Sequence, residues 1–151
     1  MPLSRLTRAA GTLAAVALVA VTSLAIATPA RAADDAVYQG LGGTTGIKKI
    51  VATFKPLVLA DPRIKDTFSD SDMDHVGMRL EEQLCVLSGG PCTYGGEPMK
   101  ETHGGLKITN AQFNALTENL QIAMEKNGVA TSVANKLVAK LAPMQREIVT
   151  K

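Results

Sequence analysis

Tyr94-Gly95-Gly96-Glu97-Pro98-Met99-Lys100-Glu101-Thr102-His103-Gly104-Gly105-Leu106 is the stretch on which the fold depends. It holds no apolar period of 2 or 3.6 over any useful length. Glycine pairs near both ends, and Pro98 between them, punctuate it. The spacing predicts an irregular connection over residues 91–108, with one helical turn around Met99–His103. What lies on either side reads as helix.

Upstream, Val76, Leu80, Leu84 and Leu87 fall on one face of a helix. It begins among the capping side chains of residues 69–74 and is stopped by Gly89-Gly90-Pro91. Before it, Ile47, Ile50, Val51, Phe54, Val58 and Leu59 recur at helical spacing. That helix follows the turn Gly40-Leu41-Gly42-Gly43, with Thr44 or Thr45 as cap, and Pro56 predicts a bend or an early stop in it. Asp61-Pro62 ends it and opens a short connection carrying Phe68. Downstream, Thr109 caps a helix with Phe113, Leu116, Leu120 and Met124, which ends at Asn127-Gly128. Thr131 or Ser132 starts a fourth, with Val133, Leu137, Val138, Leu141, Met144 and Ile148, kinked at Pro143. No segment alternates with period 2, so the fold class is all-α, four main helices around a small core. The 91–108 connection has too little apolar content to close that core alone, and such a chain gains stability from something bound inside.

The first 32 residues belong to a different regime. Arg5 and Arg8 precede an apolar run from Ala9 to Ala27, and Ala30-Arg31-Ala32 is an A-x-A cleavage signal. The expectation is a cleaved signal peptide over 1–32 and one domain over 33–151, in a secreted or periplasmic protein. An uncleaved anchor helix is the alternative, since the run is just about long enough to span. With no twin-arginine pair in the leader, export in an unfolded state and later acquisition of any cofactor are expected. The 151-residue chain is 46% hydrophobic and 20% charged, with a net charge of +2. Its leader holds three arginines and no acid, which leaves 13 basic and 14 acidic residues after it. A near-neutral mature chain lacks the basic face that nucleic acid requires, and no stretch after the leader suits a bilayer.

Chemistry has few places to sit. His75 and His103 are the only histidines, and neither lies in a nucleophile elbow. There is no phosphate-binding loop, dinucleotide fingerprint or calcium loop. Cys85 and Cys92 are the only cysteines, with six residues between them; in an exported chain they suit a disulfide, or they are two thiols at a helix end. Zinc is not supported by so few ligands. His103 faces apolar residues, and Phe54, Phe68 and Phe113 are available to line a cavity. An imidazole in an apolar slot is how proteins hold haem iron, although the same phenylalanines serve equally as plain core.

Tyr38-Gln39-Gly40-Leu41-Gly42-Gly43, Val58-Leu59-Ala60-Asp61-Pro62-Arg63, Gly89-Gly90-Pro91 and Tyr94 to His103, in this order and spacing, resemble the group 1 truncated haemoglobins. The likeness runs from about Tyr38 to Val149 and includes Ile108-Thr109 with Phe113 and Leu141-Ala142-Pro143. It implies a shortened globin, a two-over-two helical sandwich around haem, with almost no first helix and a proximal helix reduced to a loop and one turn. It implies haem b as cofactor and His103 as the proximal iron ligand. Phe54, Phe68, Leu80, Leu84, Met99, Ile108 and Phe113 fall on pocket-lining positions, and Tyr94 falls near the porphyrin edge.

The distal side departs from that pattern. Many members carry a tyrosine directly after the phenylalanine matched by Phe54, where this chain has Lys55-Pro56. The glutamine often found on the distal helix matches Leu80, and four residues earlier stands Val76. A hydrogen bond to a polar or charged group contributes on the order of 1–3 kcal/mol. Its loss costs roughly 5–100-fold in affinity for a polar ligand such as dioxygen, which argues against tight oxygen storage and efficient nitric-oxide dioxygenation. Three side chains can compensate. Lys55 can reach iron as an amine or donate as a cation, or turn to solvent. Arg79 can pair with a haem propionate or lie solvated. His75 can be a second axial ligand or point outward.

The function this implies is reversible binding of a diatomic ligand (dioxygen, nitric oxide or carbon monoxide) at histidine-held iron. Weak nitric-oxide dioxygenase or peroxidase-type redox activity is a further outcome, served by a reductase or electron donor. Two alternatives stay open: a periplasmic six-coordinate haem protein for electron transfer or haem carriage, and a cofactor-free helical interaction module.

Overall fold

The computed structural model describes residues 35–151, so the leader and its cleavage site lie outside the described residues. Among the described residues there is no strand, only an isolated bridge between Ile108 and Val149. The helices are α1 (Ala36–Gly40), α2 (Gly43–Ala60), α3 (Met73–Leu87), α4 (Met99–Thr102), α5 (Asn110–Lys126), α6 (Thr131–Leu141) and α7 (Gln145–Ile148). Single 3₁₀ turns at Lys65–Phe68 and Ala142–Met144 connect α2 to α3 and α6 to α7.

The long α2 is central and packs chiefly on α5 and α3, while α6 lies against α1, α3 and α5. Ile47, Ile50, Val51, Phe54 and Val58 are its buried stripe, at the 3–4 spacing that places side chains on one helical face. Pro56 does not stop α2: the helix runs on to Ala60 and closes with the Asp61 amide on the Leu57 carbonyl. One missing backbone donor costs less here than would giving up the burial of Phe54 and Val58, which are 2% and 0% exposed.

The cap of α2 differs from the threonine expected. Gly42, in the left-handed region at φ 84°, is the cap residue, a conformation glycine adopts without steric cost. The Tyr38 hydroxyl accepts the Thr44 amide at 3.1 Å and shares a 2.7 Å hydrogen bond with the Thr44 hydroxyl. A side chain from α1 thus satisfies a donor that the start of α2 leaves open.

α3 begins where the sequence placed it. The Asp72 carboxylate accepts the Asp74 and His75 amides, and these two bonds, His75 first, hold the carboxyl below its ordinary range. α3 ends in a turn at Ser88-Gly89-Gly90, with the Gly90 amide on the Cys85 carbonyl. Thr109 and Gln112 form a reciprocal capping box at the start of α5. At Pro143 the α-helix gives way to the 3₁₀ turn before α7. The Thr150 and Lys151 amides on the Ile108 carbonyl fasten the C-terminus beside the start of α5.

Candidate functional site

α2, α3, α4, α5 and α7 enclose a cavity of about 460 Å³, within the size range of small-molecule and cofactor sites. Phe54 enters it from α2, Phe68 from the 3₁₀ turn, and Val76 and Leu80 from α3. Ile108, Phe113 and Leu116 close it from the side of α5, and Met144 and Ile148 from the C-terminal turns. Apolar side chains thus come from elements far apart in sequence and leave a hollow where a core would normally close.

His103 stands at the end of the single turn α4, half-buried in the cavity wall. Its Nδ1 lies 2.9 Å from the Met99 carbonyl. A carbonyl only accepts, so Nδ1 carries the proton and Nε2 keeps its lone pair. This is the tautomer and the orienting bond that metal-binding imidazoles use. Gly104 and Gly105 follow, the latter at φ 84°, so α4 cannot extend past the imidazole. Among the described residues no group of three histidines, cysteines or carboxylates is positioned to hold a bare metal ion. An imidazole with a free Nε2 in a largely apolar cavity fits a metal brought in by a macrocycle, and haem is such a group.

The structure brings together most of the residues singled out from sequence. Phe54, Phe68, Val76, Arg79, Leu80, Tyr94, Met99, His103, Ile108 and Phe113 all line the cavity, as does His75 near the start of α3. Two do not. Leu84 is fully buried in the core one turn beyond Leu80, beside Cys85, since the part of α3 that lines the cavity ends at Gln83. Lys55 turns away from the cavity and pairs with Asp74 at 2.6 Å. Buried Gly77 makes room for it: a Cβ there would approach Lys55 Cδ to 3.2 Å.

Arg79 lines the cavity, but its Nη1 is engaged by Glu82 at 2.8 Å. Glu82 also accepts the Gly95 amide at 2.9 Å. The Gly95 amide first, and Arg79 second, hold the Glu82 carboxyl below its ordinary range. Burial raises the Tyr94 phenol above its usual value. Cys85 and Cys92 are joined as a disulfide, with Cα atoms 5.9 Å apart, outside the cavity. Sequence reading did not single out Gln83, whose amide donates to the Met99 sulfur at 3.2 Å and lies 3.6 Å from the Met144 sulfur. Its signal was present, since it stands seven residues after Val76 and three after Leu80, on the same face of α3.

Comparison with known proteins agrees with this geometry. Residues 36–150 match the family model of the bacterial-like globins. A group 1 truncated hemoglobin of Tetrahymena pyriformis is 35% identical over 115 residues, which is 76% of this chain and 95% of that protein. Another, from Mycolicibacterium paratuberculosis, is 29% identical over 80% of this chain and 88% of its own length. The chain belongs to the group 1 truncated globins. The crystal structure of the Tetrahymena pyriformis truncated hemoglobin in its Fe(III) form superposes with a TM-score of 0.74, over 76% of this chain and 98% of that one. A group II truncated hemoglobin of Bacillus anthracis follows at 0.68 and 25% identity, over 76% of this chain and 91% of that one. The segment that carries His103 is reduced to the single turn α4, and the first helix is the five-residue α1.

Proposed function

We propose that this truncated globin holds haem b in its cavity through His103 and presents the opposite face of the iron to a small diatomic ligand. The observation that carries the reading is the His103 imidazole, oriented by the Met99 carbonyl, with a free Nε2 in an apolar hollow. Haem, when bound, supplies the iron and its open coordination position. The protein's own residues do the rest. Met99 fixes the ring plane and tautomer, and its carbonyl makes the imidazole more basic. Phe54, Phe68 and Phe113 exclude water from the hollow. Arg79 is the cation in the cavity wall and would pair with a carboxylate of the cofactor; one of its five N–H donors is engaged by Glu82, which leaves four.

On the distal side stand Val76 and Leu80, where the resemblance implies polar residues in many members, and Lys55 is kept out by Asp74. Val76 and Leu80 give no donor to a ligand that gathers negative charge, and the Gln83 amide is engaged by Met99, so the site favours nitric oxide or carbon monoxide over dioxygen. Redox turnover of nitric oxide or peroxide, with electrons from a separate donor, is compatible with such a site. His75 in the cavity wall favours a second reading, a six-coordinate haem protein that passes electrons. The basic start, apolar run and A-x-A site of the leader support export to an oxidising compartment outside the cytoplasm.

Titration of the purified mature chain with ferric haem tests the assignment. One haem per chain, retained through gel filtration, is the expected result, with His75→Ala leaving the spectrum unchanged. No uptake would refute it, and a low-spin spectrum abolished by His75→Ala would establish the six-coordinate form instead.

A further inference from the structure

We propose that the Cys85–Cys92 disulfide is a redox-sensitive clamp on the cofactor cavity, whose reduction loosens one wall and speeds loss of haem. The proposal rests on the haem reading above. Cys85 is 2% exposed in the core at the end of α3 and serves as the anchor. Cys92 opens the irregular segment that runs to Pro98, in which no residue is buried. Tyr94, Gly96 and Glu97 of that segment line the cavity, and Met99, which follows it, holds His103. Only Cys92, Tyr94 and Gly96 are half-buried, so a wall of this kind has little apolar burial to keep it in place and relies on discrete ties.

Two such ties are present. One is the disulfide. The turn it closes is packed tight: a Cβ at Gly90 would come within 2.6 Å of both the Cys85 sulfur and the Tyr38 ring. The other is Glu82, which takes the Gly95 amide and the Arg79 guanidinium together. Besides the Thr102 hydroxyl of the adjoining α4 on the Glu97 carbonyl, the Gly95 amide makes the one hydrogen bond between the backbone of residues 92–97 and a helix among the described residues. Cutting the covalent tie leaves this exposed segment held to α3 by Glu82 alone, and local opening then becomes easier.

The bridge is open to exchange. A cleft of about 250 Å³ lined by Lys48, Met78, Cys85 and Cys92 leads to it. A dithiol reductant attacks the Cys92 sulfur, the S–S bond breaks, and Cys85 leaves as a thiolate that takes up a proton. The reductant's second thiol then resolves the mixed disulfide and frees Cys92 as a thiol. Two electrons and two protons pass to the protein, and the reductant becomes a disulfide. Haem retention thereby depends on an oxidising surrounding.

The test is transfer of ferric haem to an apomyoglobin acceptor. Three forms are compared: oxidised wild type, Cys85→Ala/Cys92→Ala, and wild type reduced and alkylated before haem is added. Transfer faster by about tenfold from both bridge-free forms is expected, and equal rates overturn the proposal. Hydrogen exchange at the Tyr94–Glu97 amides of the haem-free protein separates this from the functional reading. Should oxidised wild type take up no haem, the proposed function fails. The exchange then decides the clamp: faster exchange on reduction supports it, and unchanged exchange refutes it.

Discussion

His103 has one nitrogen committed to the Met99 carbonyl and one left over, in a hollow walled by Phe54, Phe68, Leu80 and Phe113. That chemistry was legible in the sequence, because a histidine trapped between a prolyl turn and two glycines cannot be absorbed into a longer helix. The other cavity residues were legible only in part. Helical spacing put Val76 and Leu80 on one face, and only the resemblance made them distal, but the direction of Lys55 depends on Asp74, 19 residues further on, and on the space left by Gly77. No local pattern encodes that. At this scale the account makes a sharp prediction. Leu80→Gln places a donor in the wall of the cavity, so dioxygen should dissociate more slowly from the ferrous protein, by roughly 5–100-fold. Stopped-flow displacement of dioxygen by carbon monoxide measures it, and an unchanged rate would show that position 80 does not face the ligand.

At the scale of elements, the caps carried most of the information. Asp72, Thr109 and Asn127-Gly128 mark real boundaries because each supplies a group that the helix end lacks. Pro56 misled, since burial on both sides of it keeps α2 intact, and the start of α2 was misassigned because its capping oxygen comes from Tyr38 in another helix. α1 went unread from the residues apart from the turn that begins at its last one, Gly40, for five residues carry too little periodicity to announce a helix. The capping box of α5 sits directly after Ile108, a cavity residue, so its loss should be felt in stability before chemistry. Thr109→Ala is expected to cost about 1 kcal/mol, a fall in Tm of roughly 4 °C for a domain of this size. Thermal unfolding followed by circular dichroism checks this, and no change would mean the cap is replaced by water.

At the scale of the molecule, the end of α2 is tied to α5 by a polar cluster. Arg63 contacts Asp61 through Nε and Nη2 and reaches Glu118 at 2.6 Å, while Asn119 donates to Asp61 at 2.7 Å. The Arg63 side chain first, then its amide and Asn119, hold the Asp61 carboxyl far below the usual carboxylate range. A carboxyl that binds its proton less tightly in the folded chain than in the unfolded one adds stability above the unfolded pKa. That contribution drains away as pH falls through the folded value. Wild type should therefore exceed Asp61→Asn in Tm near neutral pH, with the gap closing between about pH 5 and pH 2. A gap that stays constant over that range would remove Asp61 from the acid response. Glu82, held down by Gly95 and Arg79, should act in the same direction.

The functional reading depends on whether the His103 imidazole is what grips the cofactor. Replacing it by glycine and adding free imidazole to the haem-loaded ferrous protein asks that question most directly. Wild type should show a five-coordinate histidine-bound spectrum that shifts on addition of carbon monoxide. His103→Gly should lose that spectrum and regain it when imidazole fills the vacated space. A variant whose spectrum matches wild type without added imidazole would contradict the account at its base.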